Sequence, residues 1–214
     1  LFWLVYLGTI TLGLLQKPQN SLSLDECLEA YFAVEIFDQD NQYNCDHCKC
    51  KRDAERVESI TSLPKILTVM LKRFEFDTHA TKNDRHVSFP INNLDVSKFV
   101  SLDANAGVKY NTRYHLHALI CHVGRAWGGH YYAIARNYAN GRWYIYNDST
   151  VTEVEESRVA EHQPYVLFYH HGAFPAQASQ HRLRVQEYLR STTSSTTATT
   201  TTATTTTATT TTAT

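Results

Sequence analysis

A histidine and an Asn-Asp pair lie at the two ends of a predicted β-hairpin in the stretch GGHYYAIARNYANGRWYIYNDSTV. His130 follows Gly128 and Gly129, where the backbone can pass close to a ligand. The two arms are nearly equal in length, so Asn147 and Asp148 should return beside His130. A general-base histidine needs such an acceptor on its second ring nitrogen. The pattern predicts a base with its orienter; the alternative is a sheet-edge histidine and a turn-forming Asn-Asp.

The segments around this hairpin predict the sheet that positions it. Several runs are rich in β-forming residues and alternate in part between apolar and polar positions. These runs are KILTVMLKRFEF (65–76), HVSFPI (86–91), YHLHALICHVG (114–124) and PYVLFYHH (164–171). Their short connections favour an antiparallel sheet, with helix earlier in the chain, so we expect an α+β fold.

One helix is predicted early in the chain, in the stretch SLSLDECLEAYF. Ser23 and Glu26 have the spacing of a capping box. The apolar positions recur at helical spacing, at Leu24, Cys27, Leu28, Tyr31 and Phe32. Cys27 belongs to that apolar face, which indicates a core position.

Composition divides the chain into four parts. These are an apolar start (1–20), a folded domain (21–173), an exposed helix (174–190) and a Thr/Ala repeat tail (191–214). The start is shorter than the roughly 20 apolar residues of a membrane span, so a buried strand pair is expected. A signal anchor and a translated intron are the alternatives. The tail should be disordered, because it can bury little apolar surface.

Charge and cysteine content limit the classes of function. The formal net charge is −1, which offers no field to attract nucleic acid or an anionic membrane. The five cysteines are an odd number and no secretory signature accompanies them, so we expect an intracellular protein, cytoplasmic or nuclear. Cys45 and Cys48 form a C-x-x-C pair, and His115 and His117 share a strand face. The two histidines could bind metal, although solvent-side strand residues explain them better.

The hairpin resembles the histidine box of the ubiquitin-specific proteases, the papain-like deubiquitinating enzymes. Further stretches resemble the same family in the same order, and together they cover roughly Ser21 to His171. They are SLDECL, YNCDHCKCKRDAERVESITSLPKILTVMLKRFEFD, YHLHALICHVG and PYVLFYH. The resemblance implies the palm and the end of the fingers of a papain-like catalytic domain, without the thumb.

The resemblance also implies roles for the residues of the hairpin. His130 matches the catalytic base and Asn147 its orienting partner, with Asp148 assisting the polar network. Gly128 and Gly129 match the loop that forms the channel for ubiquitin's Gly-Gly tail. Nearby substrate-binding positions are Tyr131, Arg73 and Phe74, and Trp127 and His122 would lie on or near the loop. The alternative for the Arg-Phe pair is a buried phenylalanine beside an exposed arginine.

A structural zinc ion is implied at Cys45 and Cys48, which match half of a four-cysteine site in the fingers. The other half should precede Ser21, where the sequence has no cysteine. Catalysis itself requires no cofactor.

The family's nucleophilic cysteine has no counterpart at the five cysteine positions, since none precedes a helix in the expected way. Two functions follow from this departure. The first is a cysteine-type deubiquitinase acting on ubiquitin and ubiquitinated proteins, of which this chain is a piece that is inactive alone. The second is a non-catalytic ubiquitin-binding or scaffold protein.

Overall fold

The structure is a computed structural model that describes residues 8–14, 21–76, 80–101 and 111–172. Tyr138–Asn140 belong to a separate compact unit from the other described residues. In chain order the strands are β1 (Gly8–Gly13), β2 (Ser21–Ser23), β3 (Glu35–Phe37), β4 (Tyr43–Cys45), β5 (Cys50–Arg52), β6 (Ala54–Arg56), β7 (Ile66–Lys72), β8 (Phe74–Glu75), β9 (Thr81–Lys82), β10 (His86–Ser88), β11 (Leu94–Asp95), β12 (Arg113–Arg125), β13 (Gly128–Arg136), β14 (Trp143–Asn147), β15 (Thr150–Val154) and β16 (Pro164–His171). The helices are α1 (Leu24–Tyr31) and the short α2 (Glu156–Val159), and 3-10 turns lie at Gln39–Asn41 and Ser97–Phe99.

The main sheet contains eight strands in the order β1-β7-β16-β12-β13-β14-β15, and β11 pairs with β12. Its pairings are antiparallel except for β1 with β7. A second parallel pair joins β10 to β2. The α+β class and the mainly antiparallel sheet predicted from the sequence are confirmed, and the two parallel pairs are additions that the sequence patterns did not predict.

Helix α1 packs one face against this sheet. Ser23 caps it: the serine Oγ accepts from the Glu26 N–H, and the Glu26 carboxylate accepts from the Ser23 N–H. Leu24, Cys27 and Leu28 are buried in the core. The predicted capping box and the core position of Cys27 are confirmed, because both depend on spacing within one helical turn.

The strand predicted over residues 65–76 is interrupted. It divides into β7 and β8 at Arg73, whose N–H donates to the Leu71 carbonyl at 2.8 Å. Arg73 is buried, which is unusual for a side chain of its charge. The prediction of one continuous strand is wrong, because the backbone turns at Arg73 and its N–H bonds the Leu71 carbonyl instead of a neighbouring strand.

The remaining described strands form two-stranded ribbons. β3 pairs with β6, and β4 pairs with β5, so that Cys45 lies opposite Cys50. The described part of the apolar start forms the single strand β1, while residues 1–7 and 15–20, and the helix and tail predicted beyond residue 173, lie outside the described residues. Neither described helix is long and apolar enough to cross a bilayer.

Candidate active site

His130 lies near the start of β13, directly after the tight turn from β12. In the pairing of these two strands, Val123 is opposite His130 and Gly124 is opposite Gly129. The His130 side chain is 45% exposed, so a substrate could reach the imidazole. The ring therefore stands at the open end of the β13–β14 hairpin.

Asn147 is the last residue of β14, and its side chain contacts His130. Asn147 Oδ1 lies 2.5 Å from His130 Nε2. Asp148 follows in the turn to β15 with a φ of +49°, a left-handed conformation in which aspartate is enriched. Its Oδ2 lies 3.9 Å from the same nitrogen. The structure thus brings the three residues predicted as catalytic together, with Asn147 in closer contact than Asp148.

The contact with Asn147 determines the tautomer of the imidazole. An amide oxygen only accepts hydrogen bonds, so Nε2 of His130 carries the proton and donates it to Oδ1. In the neutral ring, Nδ1 then holds a lone pair, which is the form that a general base requires. This arrangement can take up a proton at Nδ1 and hold the resulting imidazolium in place.

The two glycines before His130 have different surroundings. A Cβ placed on Gly129 would lie 2.1 Å from His122 Nε2 and 2.4 Å from the Val123 carbonyl oxygen. A Cβ placed on Gly128 would meet nothing within 4 Å. Gly124, opposite Gly129, has a φ of +104°, which favours glycine. Packing therefore requires glycine at position 129, whereas Gly128 faces open space.

A group of packed aromatic rings, here called the aromatic surface, lies beside this turn. Its members are Phe74, Phe76, His122, Trp127, Tyr131 and Tyr165. Neighbouring ring centroids lie between 4.6 and 6.2 Å apart. Phe76, Trp127 and Tyr131 are 69%, 81% and 52% exposed. Large aromatic side chains that contact one another while exposed are typical of a binding surface.

Arg73 and Phe74, both predicted to contact substrate, lie in contrasting environments. The Arg73 guanidinium donates to the carbonyl oxygens of Pro164 at 2.7 Å, Asn83 at 2.9 Å and Arg85 at 2.8 Å. Burial lowers the pKa of this guanidinium. Phe74 is half-buried and belongs to the aromatic surface. The alternative of a buried phenylalanine beside an exposed arginine is therefore wrong for Arg73, and burial disfavours the substrate contact predicted for that side chain.

The cysteines predicted to bind zinc lie at the tip of the β4–β5 ribbon. The Cys48 N–H donates to Cys45 Sγ at 3.4 Å. Hydrogen bonds from the backbone of Cys48 and His47 lower the pKa of the Cys45 thiol. Structural zinc takes four ligands, yet no three metal-ligating side chains converge anywhere in the described residues. The described donors alone do not fit that site, so zinc at Cys45 and Cys48 stays a prediction.

Two of the five cysteines, Cys27 and Cys121, are buried. Cys27 lies on the core face of α1, and Cys121 lies in β12 opposite Tyr132. Burial raises the pKa of the Cys121 thiol to about 11. At neutral pH this thiol is protonated and is therefore a poor nucleophile.

Sequence reasoning missed two polar contacts of strands β12 and β13. Lys82 donates to the carbonyl oxygens of His122 and Gly124. The Tyr132 hydroxyl lies 3.0 Å from His162 Nδ1. Strand alternation could have placed Tyr132 on the face of His130. No local signal links Lys82 to the turn, because the contacts span 40 residues or more.

Comparison with known proteins identifies the class of this fold and site. A family model described as ubiquitin carboxyl-terminal hydrolase matches residues 17–169. The chain is also 37% identical over 155 residues to ubiquitin carboxyl-terminal hydrolase 8 of Arabidopsis thaliana. The chain therefore belongs to the ubiquitin carboxyl-terminal hydrolase family, a family of cysteine proteases that act as deubiquitinases. The resemblance noted in the sequence is confirmed.

Solved structures agree with this family and with its papain-like fold. A SAGA Ubp8/Sgf11/Sus1/Sgf73 deubiquitinase module bound to ubiquitin aldehyde matches with a TM-score of 0.62 at 29% identity. The match covers 77% of this chain and 36% of that one. A second structure, of the same module with a singly substituted Ubp8 and bound to monoubiquitin, gives a TM-score of 0.62 at 28% identity, over 77% of this chain and 35% of that one.

The chain is shorter than the relatives that it matches. The matched region covers 72% of this chain and 17% of the Arabidopsis protein. Residues 17–169, which the family model matches, include the hairpin that carries His130 and Asn147.

Proposed function

We propose that this chain carries the general base and its orienter in a cysteine-type deubiquitinase, which hydrolyses the bond after ubiquitin's C-terminal glycine. The observation that carries the proposal is the 2.5 Å contact between His130 Nε2 and Asn147 Oδ1. It leaves Nδ1 as the proton acceptor in a ring that is exposed to substrate. In a cysteine protease that acceptor takes the proton of the nucleophilic thiol.

The reaction follows from this arrangement. The thiolate attacks the carbonyl carbon of ubiquitin's last glycine, and His130 gives its proton to the departing lysine amine as the C–N bond breaks. A water molecule then attacks the acyl-enzyme, and His130 accepts its proton while the C–S bond breaks and the thiolate leaves. Asn147 keeps the ring in one orientation through both steps without adding a charge.

We infer that the thiol comes from a segment of the whole protein other than these 214 residues. Cys27 and Cys121 are buried, and the other three cysteines lie in the β4–β5 ribbon. In the described part of the chain, the polar contacts of His130 go to Asn147 and Asp148.

The ubiquitin tail is proposed to cross Gly128 and the aromatic surface. The open space at Gly128 leaves room for a substrate backbone. Tyr131, next to His130, is exposed and belongs to the aromatic surface. Two matched Ubp8 structures contain ubiquitin or ubiquitin aldehyde, which supports ubiquitin as the ligand here. An intracellular location suits this substrate and stays a prediction.

A non-catalytic ubiquitin-binding protein is the second candidate. It would use the same surface, but it would need no proton transfer at His130. The observation that favours it is that the described polar partners of His130 are an amide and a carboxylate, not a thiol.

Hydrolysis of a ubiquitin–aminomethylcoumarin conjugate separates these candidates. We expect turnover by the whole protein, and its loss by a factor of about 10² to 10⁴ in His130→Ala. The exposed His47 supplies the matched control, since His47→Ala should leave turnover unchanged. The 214-residue chain alone should bind ubiquitin without hydrolysing it. Equal turnover by the wild type and His130→Ala would contradict the proposed mechanism, and binding without turnover by the whole protein would support the second candidate.

A further inference from the structure

The end of β12 is held by a lysine where a neighbouring strand stops. In the described sheet, the pairing of β12 with β16 ends at Cys121 opposite Pro164. Beyond that point, Lys82 Nζ donates to the carbonyl oxygens of His122 at 3.1 Å and Gly124 at 3.2 Å. The ammonium group thus supplies donors to alternate carbonyl groups, as an adjacent strand would.

The lysine has no spare donor in this arrangement. Its third acceptor is Asp84 Oδ1 at 2.6 Å, and an ammonium group has three N–H bonds. The Lys82 side chain is only 9% exposed. A lysine so enclosed and fully engaged is a fixed structural contact, unlike an ordinary solvated lysine.

The residues held by Lys82 are those that shape the proposed substrate channel. His122 and Gly124 flank Val123, which is opposite His130 in the β12–β13 pairing. Gly129 packs so closely on His122 that even a methyl group would collide with the ring. A shift of the last residues of β12 would therefore displace both the channel glycine and the strand that carries His130.

The short β8–β9 hairpin holds this part of β12 in a second way. Phe74 is opposite Lys82 in the hairpin, and its ring centroid lies 5.1 Å from that of His122. One face of the hairpin thus contacts the His122 ring, while Lys82 bonds its carbonyl group.

We propose that Lys82 is a positioning residue for the proposed reaction: by bonding the carbonyls of His122 and Gly124, it fixes the glycine turn and the orientation of His130. The part of this inference that concerns catalysis rests on the proposed function. The contact itself can be tested without turnover.

The first test compares Lys82→Met and Lys82→Arg in the 214-residue chain. Methionine keeps the length of the side chain and removes its donors, whereas arginine keeps donors and charge. Lys98→Met is the matched control, because Lys98 is also ion-paired, to Glu29 at 2.9 Å, but is 72% exposed. Hydrogen exchange of the amides over residues 122–130 is measured together with the His130 tautomer by long-range ¹H–¹⁵N NMR.

We expect exchange in this segment to be about tenfold faster in Lys82→Met, with no such change in Lys98→Met. The His130 ring should change from one tautomer to a mixture, and Lys82→Arg should restore most of both signals. Faster exchange with an unchanged tautomer would reduce Lys82 to a structural contact and overturn the proposal. Unchanged exchange would overturn it as well.

The second test adds ¹⁵N-labelled ubiquitin to the same variants. We expect Lys82→Met to lose the shifts of ubiquitin's C-terminal residues while keeping those of its folded body. Tail shifts equal to those of the wild type would overturn the role in the channel. If the wild-type chain bound no ubiquitin, the proposed function would fail, and the exchange and tautomer results would still decide the role of Lys82.

Discussion

His130 Nε2 and Asn147 Oδ1 lie 2.5 Å apart, although the two residues are separated by 17 positions in the sequence. The contact joins the start of β13 to the end of β14 and requires no charge on either partner. Asp148 brings a carboxylate to within 3.9 Å of the same nitrogen. The ring therefore has a close neutral partner and a more distant charged one.

This ranking of the two partners predicts unequal effects of removing them. Asn147→Ala should leave His130 as a mixture of tautomers, with Asp148 holding part of the population. Asp148→Ala should change the tautomer little, because the closer contact remains. Long-range ¹H–¹⁵N NMR of the chain at pH 8 measures the populations. In the whole enzyme, the double variant should lose more turnover than either single variant. Equal effects of the single changes would contradict this ranking.

Substitution of Gly129 should affect mainly folding, whereas substitution of Gly128 should affect mainly binding. Gly129→Ala places a methyl group 2.1 Å from the His122 ring, so we expect a loss of about 1–3 kcal/mol in the free energy of unfolding. Gly128→Ala meets nothing within 4 Å and should change stability by less than about 0.5 kcal/mol. Gly128→Ala should nevertheless weaken ubiquitin binding, because the added methyl narrows the proposed channel. Urea unfolding and a ubiquitin titration measure the two effects, and similar stability losses in both variants would count against the packing argument.

Removing the Arg73 side chain should be costly. Arg73→Met leaves the carbonyl oxygens of Pro164, Asn83 and Arg85 without their buried donor. We expect a loss of about 3 kcal/mol or more in the free energy of unfolding. Arg158→Met is the control, because the exposed pair of Arg158 with Glu161 should contribute less than about 1 kcal/mol. Comparable midpoints for the two variants in urea would refute this account.

The cysteines should differ in their reaction with iodoacetamide at pH 7.5. Backbone hydrogen bonds lower the pKa of Cys45, so it should be alkylated first. Burial raises the pKa of Cys121 to about 11, so it should react only after unfolding. Mass spectrometry of the digested protein gives the order of labelling. Rapid labelling of Cys121 in the folded chain would reopen the possibility that it serves as the nucleophile.

Acidification through the range in which histidines titrate should destabilise the fold. Burial lowers the pKa values of His115, His117, His122 and His162 in the folded state. As the pH falls through about 6.5, these histidines therefore bind protons in the unfolded chain before they do so in the folded chain. The free energy of unfolding decreases as a result. Urea unfolding at pH 7.5 and 5.5 should show this loss, and His117→Gln should reduce it. Stability that is unchanged or higher at pH 5.5 would show that the histidines are not held neutral.

The parts of the fold that follow from local signals could be predicted. Ser23 and Glu26 are three residues apart, and their capping box marked the start of α1. The adjacency of His130 and Asn147 followed from two arms of similar length around one turn. In each case the partners belong to one helix end or one hairpin, so sequence spacing determines their distance.

Partners that are remote in sequence could not be predicted in this way. Arg73 bonds carbonyl groups 10, 12 and 91 residues away. It lies at the break between β7 and β8, in a run that otherwise alternates like one strand. Lys82 reaches carbonyl groups 40 and 42 residues away. Which backbone group a long cationic side chain meets depends on the packing of whole strands. The alternation of buried and exposed residues within one strand does not reveal which backbone group that will be.

The position of β16 between β7 and β12 has a consequence for how the chain folds. It is the last described strand in sequence, yet it lies in the interior of the main sheet. During synthesis, the edges of β7 and β12 that pair with β16 stay unpaired until residues 164–171 leave the ribosome. A nascent chain stopped before Pro164 would lack a central strand and present two unpaired strand edges to chaperones or to other chains. Protein yield in the cell should therefore depend on whether translation continues past residue 171.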